Sequence, residues 1–504
     1  MKIIIGLIII GIIALGAFSF SKKSHFNVQK VITWLLWDFS GLRFIWGKII
    51  PPIDQSPNKR PPSTFLFWTF CVYVAFFGVA SERYENRIDI IENRANSIFT
   101  QLETPAYKHA ISNIPRTQKL LCPYKPNILK PHSIFRSLFS EHVQYPEMVT
   151  LLKETVENRK DDLDFVVLNG VNLQEGKLRG ANLKKTKLVG ANLYKADLWN
   201  ANLQEAKIED ANLQGANLEG ANLREASLEN ANLQEANLGR ADLEKAKLGD
   251  AKLKEANLGE ANLQKANFKR ADLQKAKLWN AKLQGANLES ANLQEANLED
   301  AKLQETELIG ANLQKAILEG TDLQKANLED ANLQKANLWN ANLKKAKLLI
   351  ANLQEADLWG ANLQESIIDG ADLQKANLED ANLQGAYLMG AKLQKANLMG
   401  AKLKEAKLWG ANLQEANLEG ANLQEVDFWD ADLQKANLEG ADLQRAKLGD
   451  VNLQEANLMG ANLGQAEGLN IEQLCKTKTL HEAILDPELK KQVEEKCPLL
   501  LEPS

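Results

Sequence analysis

Residues 291–320 read ANLQEANLEDAKLQETELIGANLQKAILEG, and their rhythm decides the fold. A large apolar residue recurs at Leu293, Leu298, Leu303, Leu308, Leu313 and Leu318. A small one sits two positions earlier, at Ala291, Ala296, Ala301, Thr306, Ala311 and Ala316. Small, polar, large over three residues is strand alternation: the outer two side chains share one face and the middle one points away. The other two positions are mostly Gln, Glu, Lys, Gly, Asp or Asn, a turn composition. A helix does not fit, because five steps of about 100° smear the apolar positions around the cylinder. A three-residue bridge and a two-residue corner wind instead as a coil, with Ala and Leu columns filling a narrow interior.

Working outward, the frame holds from Leu173 to Leu463 without a slip, about 59 units. The small position departs from Ala at Val171, Gly176, Thr186, Thr306, Thr321, Ser366, Val426 and Val451. Units such as ANLQE, ANLEG, ADLQK and AKLWG resemble the pentapeptide-repeat family, over roughly three-fifths of the chain. That resemblance implies a mainly β fold, a right-handed quadrilateral β-helix with four units per coil, whose outward positions are the residue before each Leu and the two after it. With coils about 4.8 Å apart, some fifteen coils give a length of roughly 70 Å.

The ends of a solenoid need covering, since they present unpaired backbone groups and apolar surface. PEMVTLLKETVENRK (residues 146–160) has helical spacing directly before the repeats. After them, Asn470 is placed to cap a helix through IEQLCK, and Asp486-Pro487 to cap and open one through ELKKQVEEK. The repeat domain is thus expected over 163–465, with a C-terminal helical cap over 466–504. Cys475 and Cys497 flank this last segment; they pair as a disulfide in an oxidising compartment, although reduced, buried thiols are the plainer reading.

The N-terminal region, 1–80, reads as membrane-associated. Ile3–Phe20 and Ser63–Ala80 are charge-free runs of spanning length, expected as membrane helices. A cleaved signal peptide is the alternative for the first. Between them, Trp-rich residues 31–50 have the pattern of an interfacial helix. Lys22, Lys23, Lys30, Arg43, Lys48, Lys59 and Arg60 in the intervening loop place that loop in the cytoplasm and the repeats outside it. The expected location is a bacterial-type integral membrane. Residues 81–103 carry a heptad seam at Tyr84, Ile88, Ile91, Ala95, Ile98 and Leu102, suited to joining identical chains as a stalk or to docking on the chain's own Pro-rich segment. Residues 104–162 read as a Pro-rich connector followed by the capping helix.

Function is less legible. A net charge of −5 argues against general nucleic-acid binding. The residues suggest no metal site, cofactor, Ser/His/Asp set or phosphate loop, so a non-enzymatic protein is expected. Residues that differ by twenty should stack, which puts Trp199, Trp279, Trp339 and Trp359 in one column and Met389, Trp409 and Trp429 in the opposite one. Met389, Trp409 and Trp429, then Trp339 and Trp359, are the candidate interaction residues for an unknown protein partner. The leading reading is a membrane-tethered scaffold or protein-interaction rod. A membrane effector or channel component is the alternative. DNA mimicry directed at a type II topoisomerase, which the family resemblance brings in, suits the mixed charge of the repeats poorly: they sum to roughly −8, with Lys-rich and acidic units interleaved.

Overall fold

The computed structural model describes residues 63–140 and 143–503. The chain divides into two compact units, Met1–Glu103 with Arg116–Leu151, and Thr104–Pro115 with Leu152–Ser504.

The second unit contains the repeats. The middle residue of each three-residue bridge pairs in parallel with the residue twenty positions on, from Val167↔Lys187 to Lys447↔Glu467. Twenty residues therefore make one coil, and four units make its four sides. Every small and every large position from Val171 to Leu463 is buried. Where Thr or Ser replaces Ala, the hydroxyl bonds to a backbone carbonyl: Thr186 to Leu163 (2.6 Å), Thr306 to Leu303 (2.8 Å), Thr321 to Leu298 (3.0 Å) and Ser366 to Leu363 (2.7 Å). A buried hydroxyl without a partner would destabilise the coil.

The backbone of one unit shows why the period is five. In Ala221–Glu225, Ala221 N–H donates to Leu218 O (3.0 Å), closing the corner before it. Asn222 N–H donates back to Ala201 O (2.9 Å), Leu223 N–H forward to Asp242 O (2.6 Å), and Glu225 N–H forward to Glu244 O (2.9 Å). Only Arg224 N–H, at the first corner position, lacks a main-chain acceptor, and the Asn222 side-chain oxygen takes it (3.1 Å). Asn and Asp recur before Leu because their short side chains reach an amide two residues on. Asn does more than Asp: in many units its Nδ2 also donates to the matching oxygen of the previous coil, as Asn332 does to Asn312 (3.4 Å).

The second corner residue has positive φ in every unit from Phe165 to Gln465. A β-turn with positive φ at its third residue favours Gly or Asn. Gly is frequent at those numbered in tens, as at Gly400 and Gly410, but Glu and Lys fill most of those ending in five, at a cost of about 1 kcal/mol each. Successive coils place opposite charges there, for example Lys335–Glu355 (3.4 Å), Lys345–Glu365 (3.2 Å) and Lys395–Glu415 (3.4 Å). Such exposed pairs offset the cost only in part.

Both ends are covered. Helix α1 spans Ser63–Leu102, α2 Tyr107–Ser112, α3 Ile114–Gln118, α4 Pro131–Phe139 and α5 Pro146–Asn158. The last turns of α5 and the 3-10 turn after it act as a substitute coil: Glu157 Oε1 accepts Lys177 N–H (2.9 Å) and Lys160 O accepts Asn182 N–H (2.8 Å). Leu152, Val156 and Leu163 are buried at the same end. At the far end the pairing step lengthens from twenty to twenty-two, at Asn457↔Thr479 and Asn462↔Ile484. The short helix α6 (Ile471–Leu474) accounts for the change; Asn470 Oδ1 caps it by accepting Gln473 N–H, while Gln473 Oε1 accepts Asn470 N–H in return. The Gln473 amide also donates to Leu448 O (3.3 Å) and Val451 O (3.0 Å).

Helix α7 (Pro487–Lys496) opens at Pro487 as expected, but Asp486 does not cap it. Its carboxylate instead accepts Gln465 N–H of the last repeat (3.1 and 3.2 Å), closing the coil rather than the helix. Cys475 and Cys497 are joined, with Cα atoms 5.7 Å apart, so the reduced reading of this pair is corrected. The bond fastens α6 to the end of α7. Cys71 and Cys122 are free thiols, and burial raises the Cys122 pKa.

In the first unit, the expected boundary near residue 80 falls inside the continuous helix α1. Among the described residues no helix is long and apolar enough to cross a membrane. The charge-free part of α1, Ser63–Ala80, is about 27 Å of helix against a hydrocarbon core of about 30 Å, and the helix runs on into Glu82 and Arg83. The expected span 3–20 and interfacial helix 31–50 lie outside the described residues. Of the heptad seam, Ile88, Ile91, Ala95 and Ile98 are buried. A two-stranded ladder, β1 (Leu121–Cys122) with β2 (Val143–Gln144), lies beside α1, where Arg87 Nε donates to Leu121 O (2.9 Å).

Two outcomes test these contacts. Asn332→Ala removes the acceptor for Gln334 N–H and the bond to Asn312, and is expected to lower stability by about 1–2 kcal/mol in urea unfolding, with Asn332→Asp losing less. Reducing Cys475–Cys497 is expected to weaken the C-terminal cap by about 3 kcal/mol, seen as faster amide exchange confined to the last coil and the tail.

Candidate interaction surface on the repeat coil

The twenty-residue coil turns numbering into position. Three of the four middle-residue columns carry Asn ladders, such as Asn377, Asn397, Asn417, Asn437 and Asn457, bonded at 2.9–3.2 Å. The fourth departs from this: Lys187, Lys207, Lys247, Lys347, Ile367, Tyr387, Lys407 and Lys447 stand at the ladder position. Lys, Ile and Tyr cannot accept the corner amide as Asn does, so this side gives up an internal bond repeatedly.

Met389, Trp409 and Trp429 lie on the corner that follows this column, 41%, 52% and 47% exposed. The sequence-based grouping missed four further exposed apolar residues beside them: Leu349 on the same corner column, Ile350 on the second corner position, and Ile367 and Tyr387 on the adjoining face. Together they form a strip over five successive coils, about 19 Å from end to end. The missing signal was available in the numbers: Ile367 and Tyr387 are twenty apart, and each lies two residues before the Trp409–Trp429 column.

Ile350 is the anomaly in the strip. It is β-branched, exposed, and held at φ +52°, where such residues are outliers. Further along, Gly390 and Gly410 occupy the same corner position, and a Cβ there would meet nothing within 4 Å. The indoles of Trp409 and Trp429 are thus flanked by open backbone. Gly449 serves a different purpose: a Cβ there would lie 2.5 Å from the Trp429 ring, so its absence lets the ring lie along the next coil.

The opposite corner is less open. Trp339 and Trp359 meet with ring centroids 5.5 Å apart, and Trp339 Nε1 donates to Asp357 Oδ2 (2.6 Å). Trp199 is covered by the Arg179 guanidinium, 4.7 Å from its ring. Trp279 lies over Gly259, where a Cβ would be 2.4 Å from the indole. These rings are engaged by their own coil, as Trp429 is over Gly449, whereas among the described residues no ring or cation contact covers Trp409.

Among the described residues no group of His, Cys, Asp or Glu side chains could hold a metal ion. The charged side chains mostly pair locally: a hydrogen bond from Arg270 holds the Asp250 carboxyl below its usual range, and the bond that the Lys108 ammonium donates to Asp164 holds Lys108 above its own.

A parallel four-sided coil of five-residue units with a patterned outer surface defines a β-solenoid. Residues 167–348 and 351–467 match, in overlapping segments, the family model described as pentapeptide repeats (8 copies). The chain belongs to the pentapeptide-repeat family. No curated protein matches it. It is similar to the crystal structure of HetL, a pentapeptide repeat protein involved in heterocyst differentiation regulation from the cyanobacterium Nostoc sp. strain PCC 7120. Identity is 37% over 47% of this chain and 91% of that one, with a TM-score of 0.28. It is also similar to QnrB1, a plasmid-mediated fluoroquinolone resistance protein, at 19% identity over 41% of this chain and 93% of that one, TM-score 0.29. A pentapeptide repeat protein from the Arabidopsis thaliana thylakoid lumen shares 24% identity over 28% of this chain and 85% of that one, TM-score 0.18.

Proposed function

We propose that this is a non-enzymatic interaction rod, held at a membrane by its N-terminal region, that takes a protein partner along the strip from Leu349 to Trp429. The observation that carries the reading is Ile350. A strained, exposed, β-branched side chain does nothing for the coil, and strain of this kind collects where a surface is used. Its neighbours supply aromatic anchors of the type that dominate protein interfaces.

Charge favours this over DNA mimicry. A duplex mimic needs a surface of one sign, whereas Lys–Glu pairs alternate along these corners. Membrane attachment is supported by the apolar run Ile3–Phe20 and by exposed Phe70, Val72, Val74 and Val79 on α1. A non-cytoplasmic location of the repeats is supported by the Cys475–Cys497 bond, since disulfides persist in oxidising compartments.

A photo-crosslinking residue in place of Tyr387, in the full chain in its native host, is expected to trap one discrete partner. Met389→Ala, Trp409→Ala and Trp429→Ala together should lower that yield more than about tenfold without changing the circular dichroism. Equal trapping from Lys335, elsewhere on the coil, would sink the assignment of the strip.

A further inference from the structure

The first unit has a second apolar surface with a different chemical setting. Helix α4 lies against α1: Ile134 and Ser137 are buried, Ser137 Oγ donates to Ala80 O (3.3 Å), Arg83 donates to Leu138 O, and Phe76 and Phe135 meet at 6.4 Å. The loop before it is tied down where Tyr73 OH donates to Ile128 O. This docking leaves much of the segment's apolar surface bare, including the part of Phe135 that lies outside its contact with Phe76. Leu129 is 86% exposed, Phe139 65% and Phe135 55%, with the two rings stacked at 6.5 Å.

Along the segment itself the charge is of one sign. From Arg116 to Ser140 there is no Asp or Glu, and Arg116, Lys119, Lys125, Lys130 and Arg136 are all basic. Lys125, Lys130 and Arg136 are exposed among the apolar residues. Aromatic and aliphatic side chains ringed by Lys and Arg are the surface of an element that lies in a bilayer interface, its apolar tips below the headgroups and its cations among the phosphates. A protein partner of matching shape would not require the acid-free stretch, whereas an anionic membrane does.

We infer that Ile128–Phe139 is an interfacial membrane-binding element, with Leu129, Phe135 and Phe139 entering the bilayer and Lys125, Lys130 and Arg136 taking anionic lipid headgroups. The inference rests on the membrane attachment proposed above and gives it a means that does not depend on α1 crossing the bilayer.

The test uses the full chain with an environment-sensitive nitrobenzoxadiazole label on Phe139→Cys in a Cys71→Ser background. It is mixed with vesicles of phosphatidylcholine, alone or with phosphatidylglycerol, and read by flotation and by emission. Co-flotation with a blue-shifted, brightened label on the anionic vesicles is the expected result. Lys125→Gln, Lys130→Gln and Arg136→Gln together should then weaken the vesicle concentration dependence of the label signal roughly 100-fold, at about fivefold per basic residue. Flotation with an unshifted label would overturn the interfacial element while leaving membrane attachment standing. No flotation would overturn both. An equal shift on phosphatidylcholine alone would remove the anionic headgroups from the proposal.

Discussion

One backbone amide in five has no main-chain partner, and much of the repeat follows from that shortage. The coil-to-coil bonds and the corner bond use four N–H groups of each unit, leaving the first corner residue, as Arg224 shows. An Asn or Asp two residues earlier supplies the missing acceptor. The side chain that does so must be short, must precede the buried Leu, and must point out of the coil. Those requirements fix the order small, Asn or Asp, large. The positive φ of the next residue then turns the chain through its corner. Once every unit obeys this, coils repeat at twenty residues and every outward position becomes a column.

The array was legible because its signal is redundant: each Ala and Leu is required at the same place, and a single replacement such as Thr306 does not blur the frame. The purpose of the residue between them was not. From sequence, Asn was simply polar and outward, because a bond to an amide two residues on and another to a side chain twenty residues away leave no periodic mark of their own. The helical ends were visible for similar reasons of local pattern, Asn470 most clearly. Asp486 misled because its position before Pro487 imitates a helix cap while its true partner, Gln465 N–H, is twenty-one residues distant. The Cys475–Cys497 pairing likewise depends on how the tail folds back.

The candidate surface was half legible. Numbers twenty apart identified Met389, Trp409 and Trp429 as one line, but a line is not a patch. Its width comes from Ile367 and Tyr387 on the adjoining side and from Ile350 at a corner, and only the coil's geometry puts these beside the aromatic column. The helical region presented the reverse difficulty. Hydropathy alone marked Ser63–Ala80 as a span, yet the described portion of α1 continues into a charged stretch without a break, and one of its sides is used to hold α4.

The four-sided coil also dictates how such a protein can change length. Adding or deleting one five-residue unit leaves every buried column filled and every corner closed, so the fold tolerates it. Everything beyond the change, however, is turned by a quarter revolution. A unit lost between Leu349 and Met389 would keep the molecule folded and carry Trp409 and Trp429 round to a neighbouring side, away from Ile350. Only steps of twenty preserve the alignment. Folding therefore counts in fives and recognition in twenties, and the two can be separated during descent by a single duplication.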